Sequence, residues 1–151
     1  MTDEVTAKNE TYKVFLLALR AEAPAILGYI PEVYWENTKP KVIPDPTKIH
    51  FRTQWAIVNT TQAAFSACNA NLRGKVYDTQ GMVSFDAYAP MSVGNSDDLM
   101  HKLCQKIRGA FRGISTPGKV WYRDARIQRI TPEDLFWRKS VIVETYFSEV
   151  A

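Results

Sequence analysis

Val83-Ser84-Phe85-Asp86-Ala87-Tyr88-Ala89-Pro90 sends Val83, Phe85, Ala87 and Ala89 to one side of a strand. Ser84, Asp86 and Tyr88 point to the other side, and Pro90 closes the run. Gly94-Asn95-Ser96-Asp97-Asp98 then supplies a turn, a cap and an acidic first helical turn. The spacing predicts a helix from about Ser96 to Arg112. Leu99, Met100, Leu103, Cys104, Ile107, Ala110 and Phe111 make its apolar face, with His101, Gln105, Arg108 and Arg112 behind. Gly113 supplies the stop, and basic residues crowd the negative end.

Beyond Pro117-Gly118, Lys119 to Ile130 has strand composition. Thr131-Pro132-Glu133-Asp134 turns the chain, and Leu135 to Phe147 returns, with Val141, Val143, Thr145 and Phe147 on one face. Strands joined this tightly pair antiparallel. Upstream, Thr2 is positioned to cap a first helix with Asp3 and Glu4 in its opening turn. Val5, Tyr12, Phe15, Leu16, Leu19 and Ala23 share one of its faces, and Pro24 is expected to end it. The opposite face is also apolar: Val14, Leu17, Ala18 and Ala21. Either the helix is sandwiched within one domain, or one stripe meets the subunit's own core and the other meets a neighbour.

Four prolines between Gly28 and Pro46 forbid a helix there and leave a short strand at Val33-Tyr34-Trp35. Lys48 to Thr60 reads as strand, with Ile49, Phe51 and Trp55 on one parity. Thr61 to Gly81, holding Phe65, Leu72 and Tyr77, either extends a hairpin or forms a mobile loop. The predicted fold is α+β: a central antiparallel sheet of four to five strands with two helices packed on one face, in one domain spanning residues 1–151.

At 151 residues the chain can bury a core without disulfide or metal, and 46% hydrophobic with 23% charged residues excludes wholesale disorder. A net charge of +3 is weak for a dedicated nucleic-acid binder. Cys68 and Cys104 have no partner at metal or redox spacing, and Cys104 is expected to be a buried small hydrophobe. No signal-peptide pattern and no membrane-length apolar run is present, so a soluble protein made in a reducing cytoplasm is expected.

The chemistry is blank. Phosphate-cradling glycine loops, paired-histidine metal motifs and serine elbows are all missing from the sequence, and neither an enzyme nor a cofactor is expected. His101 with Asp97 or Asp98 has ordinary helix-surface spacing. Arg123, Arg126 and Arg129 with Trp121, Tyr122 and Trp137 have the composition of a stacking surface for nucleic acid, of a protein interface, or of a solvated sheet face. With no bulge, Arg123 and Arg129 share a face that Arg126 does not.

Three segments in this order resemble the tail terminator-like proteins of long-tailed bacteriophages. They are Val33-Tyr34-Trp35-Glu36-Asn37, then Gly81 to Pro90 with the helix ending Ile107-Arg108-Gly109-Ala110-Phe111-Arg112-Gly113, and the closing hairpin from Arg126-Ile127 through Trp137 to Phe147. The resemblance implies a structural virion protein, assembled in the bacterial cytoplasm, that forms a ring, usually a hexamer, in the tail-neck region. Such a ring stops polymerisation of the tail tube and offers a docking surface to the head connector. Implied partners are further copies of the chain, the tail tube protein and a connector or neck protein. DNA only passes through the lumen, and no membrane is involved. A ring needs two complementary patches per subunit. Val14, Leu17 and Ala21 are candidates for one, and Phe65, Leu72 and Tyr77 for contact with a neighbour or the tube. The alternatives are another neck or tube component and, with less support, a nucleic-acid binder using the last hairpin.

Overall fold

The structure is a computed structural model that describes residues 3–36, 44–65 and 75–150. In chain order the elements are α1 (Glu4–Leu27), β1 (Glu32–Tyr34), β2 (His50–Phe65), β3 (Lys75–Pro90), α2 (Ser96–Ala110), β4 (Trp121–Glu133) and β5 (Phe136–Val150). The five strands form one sheet in the order β1-β2-β3-β5-β4. The fold is α+β, as the sequence suggests. Three of the four ladders are antiparallel, and only the short edge strand β1 runs parallel to β2. That makes the sheet mixed. A parallel neighbour requires a crossover, and the proline-rich connection between Tyr34 and His50 provides it.

Both helices lie on one face. Phe51, Val83, Phe85, Val141 and Val143 project from that face and are buried with Phe15 and Leu19 of α1 and Met100, Leu103, Cys104 and Ile107 of α2. Phe85 sits on the middle strand, and its ring stacks on Phe15 at 4.2 Å and on Phe111 at 5.6 Å. Truncating such a ring to alanine costs about 3–5 kcal/mol, a large share of the stability of any small domain. Cys104 is fully buried, and burial pushes its thiol up to about 12.

The buried row of α1 is Ala7, Thr11, Phe15, Leu19 and Ala23, every fourth residue. Thr11 is fully buried because its hydroxyl bonds the Ala7 carbonyl at 2.8 Å and the Tyr122 hydroxyl at 3.0 Å. Val5, expected on this face, is 62% exposed. Capping also differs: the N-cap is Asp3, whose Oδ1 accepts the Thr6 amide at 2.7 Å, while Thr2 lies outside the described residues. Nor does Pro24 end the helix. In the last turn its missing N–H forfeits a single bond, so α1 continues to Leu27. Gly28, at φ 80°, closes it and donates to the Pro24 carbonyl at 3.0 Å. Glu10 ties α1 to the loop before β4, accepting from the Thr116 hydroxyl and, at 3.0 Å, from the Gly118 amide.

The segment 61–81 extends the hairpin where it is described: β2 reaches Phe65, which pairs with Lys75 of β3. Gly81 marks the closest approach in the sheet. A Cβ there would lie 2.6 Å from Thr145 Oγ1 and 3.3 Å from the Ala56 carbonyl oxygen. Gly81→Ala is expected to destabilise the protein by about 1–3 kcal/mol. In urea denaturation, Gly81→Ala with Thr145→Ala should lose less than the sum of the two single changes; strict additivity would mean that this contact does not set the glycine requirement.

Candidate functional site

With Phe15 fixed on the sheet, a residue two positions on is rotated by about 200° and faces outward. Leu17 is that residue, 59% exposed, and Ala21 one turn later is exposed too. Val14 differs. It is half-buried against the core, so the second apolar stripe is divided between the subunit's interior and its surface. Beside Leu17 runs an apolar groove of about 280 Å³ between α1 and the chain after β1, walled by Tyr12, Leu16, Leu17 and Trp35. Tyr12 and Trp35 pack ring to ring at 4.8 Å. The Tyr12 hydroxyl donates to Glu36 at 3.1 Å, and the other oxygen of that carboxylate accepts the Trp55 amide at 3.0 Å. Burial, with the neighbouring Glu36 charge adding to it, pushes the Tyr12 phenol up to about 12, so the bond is made by a neutral donor. Lys13 and Arg20 are exposed on the rim of this groove.

Of the second candidate set, Tyr77 is half-buried on the helix side of β3, opposite Gln62 and Glu149. The Phe65 side chain and all of Leu72 lie outside the described residues, as does Cys68.

A larger groove, about 570 Å³, lies at the far end of the sheet's outer face among Trp121, Arg123, Tyr146, Gln80 and Asp78. Here the arginine pattern departs from simple alternation. A register shift between Arg123 and Arg126, with Asp124 at φ 50°, places both arginines opposite the outward residues Glu144 and Ile142, while Arg129 pairs with Lys139 on the helix side. Arg123 lies over the Tyr146 ring at 5.0 Å, Arg126 meets Glu144 at 3.8 Å, and Ser148 donates to Asp78 at 2.6 Å. Glu144 and Asp78 thus lie among these cations, with Lys119 also on the groove wall.

No acid–base pair forms at His101. Asp97 is engaged instead by Arg129 at 3.2 Å and Lys139 at 3.6 Å, which pins the start of α2 to the last two strands. Among the described residues no group of three His, Cys, Asp or Glu side chains is placed to hold a metal ion. Among the described residues no helix is long and apolar enough to cross a membrane.

No protein-family model matches the chain, and no curated protein is similar to it. Among solved structures, a protein whose name describes no function matches over 92% of this chain and 94% of its own, with a TM-score of 0.54 and 17% identity. That likeness is one of fold alone.

His50 is a feature that composition did not flag. The residue is 4% exposed, its ring stacks on Tyr88 at 4.6 Å, and neither nitrogen has a hydrogen-bond partner among the described residues. Burial first, and the Arg52 charge second, lower its pKa from 6.5 to about 4, against an opposing pull from Glu32. The unfolded chain then takes up a proton before the folded one does. Stability is full above the unfolded value and falls as the pH drops toward the folded one. Chemical denaturation at pH 7 and pH 5 should show a loss of about 2 kcal/mol from this group. His50→Gln should flatten that difference; an unchanged pH slope would show that His50 titrates normally.

Proposed function

We propose that this chain is a ring-forming structural protein of a long-tailed bacteriophage, a tail terminator that caps the tail tube and receives the head connector. The observation that carries the proposal is the exposed flank of α1. Leu17 stands 59% exposed beside an apolar groove, on a helix whose opposite row is fully buried. A helix with one stripe spent on its own sheet and a second left in water gains by docking against another protein surface. Support also comes from the order of the segments that resemble the tail terminator family, which fall on β1 and the residues after it, on β3 with α2, and on the β4–β5 hairpin.

Another neck or tube component shares ring symmetry, so assembly state does not separate the two; behaviour toward tail tubes does. A terminator binds one end and stops growth, whereas a tube subunit adds along it. The nucleic-acid alternative is weakened by the mutual neutralisation of Arg126 with Glu144.

Leu17→Asp is the direct test of the surface. By sedimentation velocity the wild-type chain should run as a closed oligomer and the variant as a monomer. Its unfolding free energy should stay within about 0.5 kcal/mol of the monomeric reference, as for other exposed positions. An oligomer of unchanged size in the variant would remove α1 from the interface, and a wild type that remains monomeric at its highest soluble concentration would remove the ring.

A further inference from the structure

A closed ring needs two different faces per subunit, one to give and one to receive, and the α1 groove supplies only one. The other half is found at the turn between β4 and β5. Leu135 is 68% exposed there, with Val93 at 38%, Met91 at 36% and Trp137 at 36%. The backbone brings these exposed side chains to one end of the sheet, an apolar knob. The Met91 amide donates to the Leu135 carbonyl at 2.9 Å, and Trp137 pairs with Ala89 at the end of β3. Isolated exposed apolar residues need no explanation, but four gathered on two adjoining loops and the start of β5 do.

Charge separates the two faces. Around the α1 groove the rim is basic: Lys13 lies four residues before Leu17 and Arg20 three after it, on one helix face, and neither makes an ion pair among the described residues. Beside the knob stand two exposed acids. Asp134 directly precedes Leu135, and Asp98 lies in the first turn of α2, the helix that the Met91–Val93 loop leads into. Of the cations nearby, Arg138 meets Glu133 at 3.2 Å and Arg129 and Lys139 meet Asp97, while Lys102 is exposed one turn after Asp98. The groove borders the β1 edge of the sheet, and the knob sits at the turn of the β5–β4 pair across the strand order. Separate placement suits head-to-tail contact and disfavours a two-fold dimer, which would bring a patch against itself.

We infer that the knob of one subunit, Met91, Val93, Leu135 and Trp137, seats in the α1 groove of the next copy of this chain. Asp134 and Asp98 then face Lys13 and Arg20. This rests on the ring proposed above and names its two faces. Apolar area supplies the attraction, and the rim charges fix which surface meets which.

Charge reversal in two variants tests the pairing. Lys13→Glu/Arg20→Glu spoils the groove, and Asp98→Lys/Asp134→Lys spoils the knob. All four positions carry surface charges, and circular dichroism with thermal unfolding checks that each variant is folded. Alone, each variant should dissociate at least about 100-fold more readily than wild type, because like charges then face each other at every contact. Mixed in equal amounts, the two should reassemble, since every knob now finds a groove of opposite sign in an alternating ring. Assembly of either variant alone with wild-type strength, or failure of the mixture to assemble, overturns this pairing while the wild-type ring stands. A monomeric wild type overturns the ring itself.

Discussion

The stack of Phe15, Phe85 and Phe111 is the contact on which the rest depends. Phe85 occupies the middle strand, and the rings on either side come from α1 and from the cap of α2. One side chain thus fixes the rotation of α1 about its axis and the height of α2 above the sheet. Once Phe15 points inward, Leu17 has no choice but to point outward. The exposed flank is therefore a consequence of core geometry and not of a loose helix.

Some elements were legible because their pattern needs no tertiary information. The alternation in β3 and the apolar face of α2 are written in residue order, and both are where the sequence puts them. The antiparallel pairing of the last two strands was legible too, but the turn is Asp134-Leu135, and Thr131 to Glu133, read as turn, belong to β4. Other features were hidden for identifiable reasons. Thr11 broke the apolar row of α1 in sequence, yet it is buried because Tyr122, more than a hundred residues away, receives it. Pro24 reads as a stop until its position in the final turn is known. The shift at Asp124 that regroups the arginines depends on a residue at positive φ, which an aspartate does not announce.

Of the candidate surface, Leu17 and Ala21 were visible as a stripe without a partner, whereas Val14 turned out to serve the core. The knob at Leu135 left no periodic signal, because its members come from two loops and the start of β5, which meet only when Pro90 pairs with Phe136. Several ionisable groups hold elements together, as Asp97 holds β4 and β5, and Glu10 holds the loop before β4.

The proposal is of a chain that completes its exposed surface by docking further copies of itself. Electron microscopy of the purified protein mixed with polymerising tail tubes addresses that most directly. The account requires ring-shaped particles seated at one end of each tube, with tubes that no longer lengthen. Tubes that keep growing beside a dispersed, single-subunit protein would contradict it.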